Sequence, residues 1–175
     1  MLKRYTFKKS HKGYIGSAYE MAVKYVTHRS NPDRLSPCGS CDFRYNNHNY
    51  DVKQNGSPVK YSPTQKGYIK GSNRVLYATH IAYNVVAEDD ECITIEVDLA
   101  NTQMFVVDKT EFINFLKSVN GLKPNTARGQ VNIQTVWNYK KNTWHGALGK
   151  KIEAWCYEHE QDDDDLIGTI LNNLD

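Results

Sequence analysis

The 175-residue chain is 39% hydrophobic and 24% charged, which suits one globular domain with a sizeable core; a second full domain is not expected. No apolar run approaches the ~18 residues of a membrane span, and the basic N-terminus lacks a signal-peptide apolar stretch, so a cytoplasmic protein with no membrane partner is expected. The net charge of +2 hides an asymmetry: residues 1–151 hold all 22 basic residues but 12 of the 20 acids, an excess of +10 that favours a polyanionic partner.

Residues 1–13 contain Lys3, Arg4, Lys8, Lys9 and Lys12 and no acid, interleaved with Tyr5 and Phe7. This composition reads as a basic arm that tracks a phosphate backbone, or as a solvated terminus. Ser17-Ala18-Tyr19-Glu20 has the spacing of a capping box, and Ala18, Met21, Ala22, Tyr25 and Val26 follow at helical intervals, so a helix over about 18–28 is predicted. Residues 31–40, with Pro32, Pro37 and Gly39, form a turn-rich connection. The four cysteines, Cys38, Cys41, Cys92 and Cys156, are too few for a disulfide framework in a chain of this length, and reduced thiols are expected. Cys38 and Cys41 have the spacing of half a zinc site, which His28 or His48 would have to complete, and no second paired cluster accompanies them.

The stretch from Cys41 to Lys53 reads as a tight hairpin, because alternating runs flank Asn46-Asn47 and asparagine tolerates the positive φ of a two-residue turn. That turn sets Asp42 opposite Asp51, with Arg44, Asn49 and Lys53 on their side and Cys41, Phe43, Tyr50 and Val52 on the other. Opposed carboxylates, with Cβ atoms roughly 5 Å apart, repel unless a cation neutralises them. A hard cation such as Mg²⁺ binds one or two carboxylates at about 2.1 Å and keeps positions open for water and phosphate. Lys53, one pleat away, is placed to orient an attacking water and offset phosphate charge. The alternative is a plain polar hairpin in which Lys53 and Arg44 ladder with the aspartates.

Residues 54–73 hold Lys60, Lys66, Lys70, Tyr61 and Tyr68 and no acid, a basic loop suited to gripping nucleic acid. The run from Arg74 to Val86 is apolar on both alternating faces, which predicts one central strand with His80 as a hydrogen-bonded core residue. Ile93–Leu99 alternates as a half-buried strand, and Met104–Val107 makes another. Asp108-Lys109-Thr110-Glu111 repeats the capping box before a helix with Phe112, Ile113, Phe115, Leu116 and Val119 on its core face. A second basic loop with Lys123 and Arg128 leads to a last strand over 131–137, then to a glycine-interrupted helix over 142–161. Asp162–Asp165 open a terminal helix whose first turn favours negative charge, with Leu166, Ile167, Ile170 and Leu171 at helical spacing.

Asp42, then Asp51-Val52-Lys53 on the next strand and Gln54-Asn55-Gly56 after it, resembles the core of the PD-(D/E)XK nuclease superfamily. The likeness is close over residues 42–56 and loose over 16–119, where helix, hairpin, strands and helix follow in the same order. It implies a single α/β domain with a restriction-endonuclease-like core, a mixed central sheet flanked by helices. It also implies that Asp42 and Asp51 bind Mg²⁺, with Mn²⁺ as substitute, that Lys53 is the catalytic lysine, and that Glu20 is the first-helix glutamate reaching the metal. The activity implied is endonucleolytic hydrolysis of DNA, and Lys8, Lys9, Lys60, Lys66, Lys70 and Arg128 on the basic segments are the candidate DNA contacts. Two departures stand out: Asp replaces the commoner Glu in the triplet, and Ser40-Cys41 precede Asp42 where the family has Pro. Pro32-Asp33 lies at a tolerated distance, but only Asp42 is placed by the hairpin. A second class fits the same fold, a non-catalytic inhibitor of a nucleic-acid enzyme, with the Asp-rich tail imitating phosphates and a protein as its target. A homodimer is compatible with either.

Overall fold

The computed structural model describes residues 3–11, 13–30, 41–54, 58–60, 73–118, 124–125, 130–132, 137–138, 143–144 and 146–175. In chain order these form β1 (Arg4–Lys8), α1 (Tyr14–Ser30), β2 (Phe43–Tyr45), β3 (His48–Gln54), β4 (Pro58–Lys60), β5 (Arg74–His80), β6 (Tyr83–Glu88), β7 (Cys92–Val97), β8 (Gln103–Asp108), α2 (Lys109–Ser118), β9 (Pro124–Asn125), β10 (Gln130–Asn132), β11 (Trp137–Asn138), β12 (Thr143–Trp144), α3 (Gly146–Glu158) and α4 (Leu166–Leu171). The fold is mixed α/β, and no helix among the described residues is long and apolar enough to cross a membrane.

The principal sheet has the order β2-β3-β5-β8, with β3 and β5 parallel and both outer pairings antiparallel. β5 is central because its side chains are apolar toward both faces: Leu76 and Ala78 enter one core with Val52 and Val106, and Val75 and Tyr77 enter another with Phe105 and Phe112. The first core lies under α1, α4 and the second sheet, β1-β7-β6. The second lies under α2 and α3, where Ile152 and Cys156 are fully buried. Smaller sheets join β4-β10-β9 and β11-β12.

Three local expectations change. Residues 4–8 are not a free arm but β1, antiparallel to β7 from Arg4↔Glu96 to Lys8↔Cys92, with Tyr5 and Phe7 packed on the core. The apolar run from Arg74 to Val86 divides: β5 ends at His80, Ile81-Ala82 cross over, and β6 joins the other sheet with Val85 and Val86 exposed. The crossing is fixed by backbone and side-chain bonds, Asp98 N–H to the Ala82 carbonyl at 2.9 Å and Ala82 N–H to Thr102 Oγ1 at 3.1 Å. Finally, α1 begins at Tyr14, so Ser17 lies inside the helix, its N–H donating to the Gly13 carbonyl, and is not its cap. Gly13, at φ 72, makes the left-handed entry for which glycine has no steric penalty.

Candidate active site at the hairpin edge

Asn46 and Asn47 have φ of 47 and 67, the pair of left-handed residues of a two-residue hairpin turn. The register is the one read from sequence, Phe43↔Tyr50, Arg44↔Asn49 and Tyr45↔His48, and the Phe43 and Tyr50 rings stack at 4.9 Å. The ladder stops there. Asp42, one residue further out, donates its N–H to the Tyr50 carbonyl at 2.8 Å and accepts the Val52 N–H on Oδ2 at 2.7 Å. It therefore brackets Asp51 from both sides, and β3 has no ladder partner from β2 beyond Tyr50. Among the described residues, no strand pairs with this edge of β3 from Asp51 onward.

α1 passes close to this edge, because Gly16 has no side chain: a Cβ there would meet the Gln54 amide at 1.9 Å. The approach brings Glu20 and Lys24, one helical turn apart, to Asp42: Lys24 Nζ lies 3.1 Å from Glu20 Oε1 and 3.3 Å from Asp42 Oδ1. Partial burial, and then the neighbouring Asp42 carboxylate, hold the Glu20 pKa above the usual carboxylate range. Burial works to lower the Lys24 pKa, but the two carboxylates raise it above its ordinary value. Glu20 thus turns to Asp42 and not to a cap at Ser17.

Asp51 and Lys53 lie on the other face of β3. Their register partners on β5 are Val75 and Tyr77, which belong to the core beneath α2. Asp51 Oδ2 accepts from Lys109 Nζ at 2.8 Å, a pair whose side chains are only 14% and 5% exposed. Asp51 Oδ1 has no hydrogen bond, and half-buried Lys53 no ion pair, among the described residues. Lys24 and Lys109 are the site residues that sequence reading missed. Lys24 was signalled by its i+4 spacing from Glu20, whereas nothing local marks Lys109 as the partner of a residue 58 positions earlier.

No group of three or more His, Cys, Asp or Glu side chains converges on a metal-sized space among the described residues. The donors at the edge are carboxylate oxygens, Asp42 from the edge itself and Asp51 from the α2 face, which suits a hard cation that retains several waters better than zinc. Cys41 is disulfide-bonded, which corrects the expectation of reduced thiols and removes it as a thiolate ligand; Cys92 and Cys156 are free.

Of the candidate DNA contacts, Lys8 is exposed at the end of β1 in the second sheet, and Lys9, in the turn after it, pairs with Glu88 at 2.9 Å. Lys66, Lys70 and Arg128 lie outside the described residues, and of Lys60 only its backbone place in β4 is described. Asp162, Asp163 and Asp164 of the tail are engaged within the fold. Asp163 takes both Arg74 nitrogens at 2.8 and 3.4 Å, Asp164 accepts the Asn46 amide at 2.5 Å, and Asp162 accepts the Leu166 N–H at 2.7 Å at the start of α4. Comparison of the chain with protein-family models, curated proteins and solved structures finds no match in any of the three.

Proposed function

We propose that the chain is a Mg²⁺-dependent endonuclease of DNA, acting through Asp42, Asp51, Lys53 and Glu20 on a restriction-endonuclease-like core. The observation that supports this reading is the bracket that Asp42 forms around Asp51, which brings the Asp42 carboxylate to the strand edge at the Asp51-Val52-Lys53 triplet. Mg²⁺, when bound, supplies Lewis-acid polarisation of the phosphodiester and a charge partner for the departing oxygen. The chain's own groups do the rest. The Val52 N–H fixes Asp42 Oδ2 and leaves its other oxygen beside the Lys24 ammonium. Lys53 orients the attacking water and offsets charge on the phosphate. Glu20, whose affinity for protons is raised by burial and by Asp42, stands beside Asp42 on the α1 side of the edge. The +10 excess over residues 1–151, including Lys8, Lys9, Lys60, Lys66, Lys70 and Arg128, draws the polyanion to the edge.

One observation favours the non-catalytic binder instead: Asp42 and Asp51 already have lysine counter-ions, so the hairpin folds with its charge compensated. Supercoiled plasmid incubated with the protein in Mg²⁺, in Mn²⁺ and in chelator separates the two. The nuclease reading expects cleavage in both metal arms only, lost in Asp51→Asn while DNA binding in chelator persists. Intact plasmid in every arm, with folded protein, rejects it in favour of the binder.

A further inference from the structure

The buried pair between Lys109 and Asp51 is costly in two ways. An ammonium at the first residue of α2 sits at the positive end of a helix dipole, and taking both charges out of water carries a large desolvation penalty that an apolar pair of similar volume would avoid. The residues of α2 that follow it into the core, Phe112, Ile113 and Leu116, are apolar. What the lysine does satisfy is Asp51: with it in place one carboxylate oxygen is engaged at 2.8 Å, and the other has no hydrogen bond among the described residues.

We propose that Lys109 is the resident counter-ion of Asp51, against which a divalent cation has to compete, so that this lysine sets how tightly the site takes metal. The inference rests on the metal site of the nuclease reading and assigns Lys109 a positioning role, acting through Asp51. An ammonium and a metal on one carboxylate repel each other, so the lysine weakens metal binding while keeping the metal-free site folded. Without the ammonium, Asp51 is a buried charge with a site for a cation and none to fill it. On the other side, Glu20 and Asp42 share Lys24, so the edge sets three carboxylates against the two ammonium groups of Lys24 and Lys109.

Thermal melting across a Mg²⁺ titration tests this in wild type, Lys109→Met, Lys109→Arg and Lys109→Met/Asp51→Asn. Lys109→Met is expected to melt lower without metal and to reach half of its Mg²⁺-induced shift at a concentration at least about tenfold below wild type. Lys109→Arg should titrate like wild type, and the double variant should lose the Mg²⁺ response while regaining metal-free stability. If Lys109→Met is unfolded without metal, its refolding by Mg²⁺ alone supports the competition. Failure to refold in Mg²⁺, with the double variant folded, overturns it. Mg²⁺ binding in wild type that is equal to or tighter than in Lys109→Met also overturns the inference but leaves the metal site standing. Indifference of every variant to Mg²⁺ removes the metal site itself, and the inference with it.

Discussion

Asp42 holds Asp51 between two hydrogen bonds, its own N–H to the carbonyl before Asp51 at 2.8 Å and its carboxylate to the N–H after it at 2.7 Å. The same side chain therefore has a structural task and a proposed chemical one, and two substitutions separate them. Asp42→Ala leaves the Val52 N–H without its acceptor and should cost about 1–3 kcal/mol in denaturant unfolding. Asp42→Asn retains a carbonyl oxygen for that N–H and should unfold within about 1 kcal/mol of wild type, while losing both plasmid cleavage and the Mg²⁺-induced rise in melting temperature. An Asp42→Asn protein that still cleaves would remove Asp42 from the chemistry.

The turn gives a second test, independent of function. Asn47 sits at φ 67, where asparagine is tolerated, other side chains with a Cβ are strained and glycine is free of strain. Asn47→Gly should raise stability by up to about 1 kcal/mol, and Asn47→Val should lower it by about 1–2 kcal/mol, both read from denaturant midpoints. Asn46 is unsuited to this test because its amide also bonds Asp164.

Two stretches that look alike in sequence show what could be read and what could not. Asp108 caps α2 as its spacing predicts, accepting the Glu111 N–H at 2.9 Å, whereas the same pattern at Ser17 and Glu20 forms no cap. The difference is non-local: the chain is already helical from Tyr14, and Glu20 is drawn to Lys24 and Asp42. The hairpin was legible because turn chemistry and alternation are properties of neighbouring residues. Lys109 was not, because its contact with Asp51 is made by the parallel pairing of β3 with β5 and by the place of α2 after β8. The break at Ile81-Ala82 carries no glycine or proline, so only the bonds from Asp98 and Thr102 reveal it.

Glu20 supplies a pH prediction. Its folded pKa is raised, first by burial and then by Asp42, so the folded state binds a proton more readily than the unfolded chain. The resulting penalty on stability is absent below the unfolded carboxylate range and fully present above the folded pKa. Glu20→Gln should therefore melt a few degrees higher than wild type at pH 7 in chelator, about 1–3 °C for a partly exposed group, with the gain fading as pH falls toward 4. A gain that is constant across that range would mean that the carboxylate's charge is not its source.

Competition with DNA and cover for the core are two roles open to the acidic tail, and the described contacts bear on both. Leu166 and Ile170 of α4 are 1% and 0% exposed within the main core, and Asp162 caps the helix through the Leu166 and Ile167 N–H groups. Deleting residues 162–175 should therefore cost roughly 3–6 kcal/mol from two lost buried side chains alone, and expose apolar surface to a hydrophobic dye. Asp163 acts differently, since it lies on the surface and bonds Arg74. Arg74 draws the Asp163 pKa below the usual range, so its contribution is full above the unfolded pKa and disappears as pH falls through the folded one. Asp163→Asn should consequently lower the melting temperature at neutral pH and match wild type in acid. The same variant separates structure from competition: with Asp164→Asn beside it, Arg74 and His48 lose their acidic neighbours, and if the tail screens them from DNA, affinity at low salt rises and the rise shrinks with added salt. Unchanged affinity at low salt, together with the neutral-pH loss of stability, would make these aspartates clasps for the hairpin turn alone.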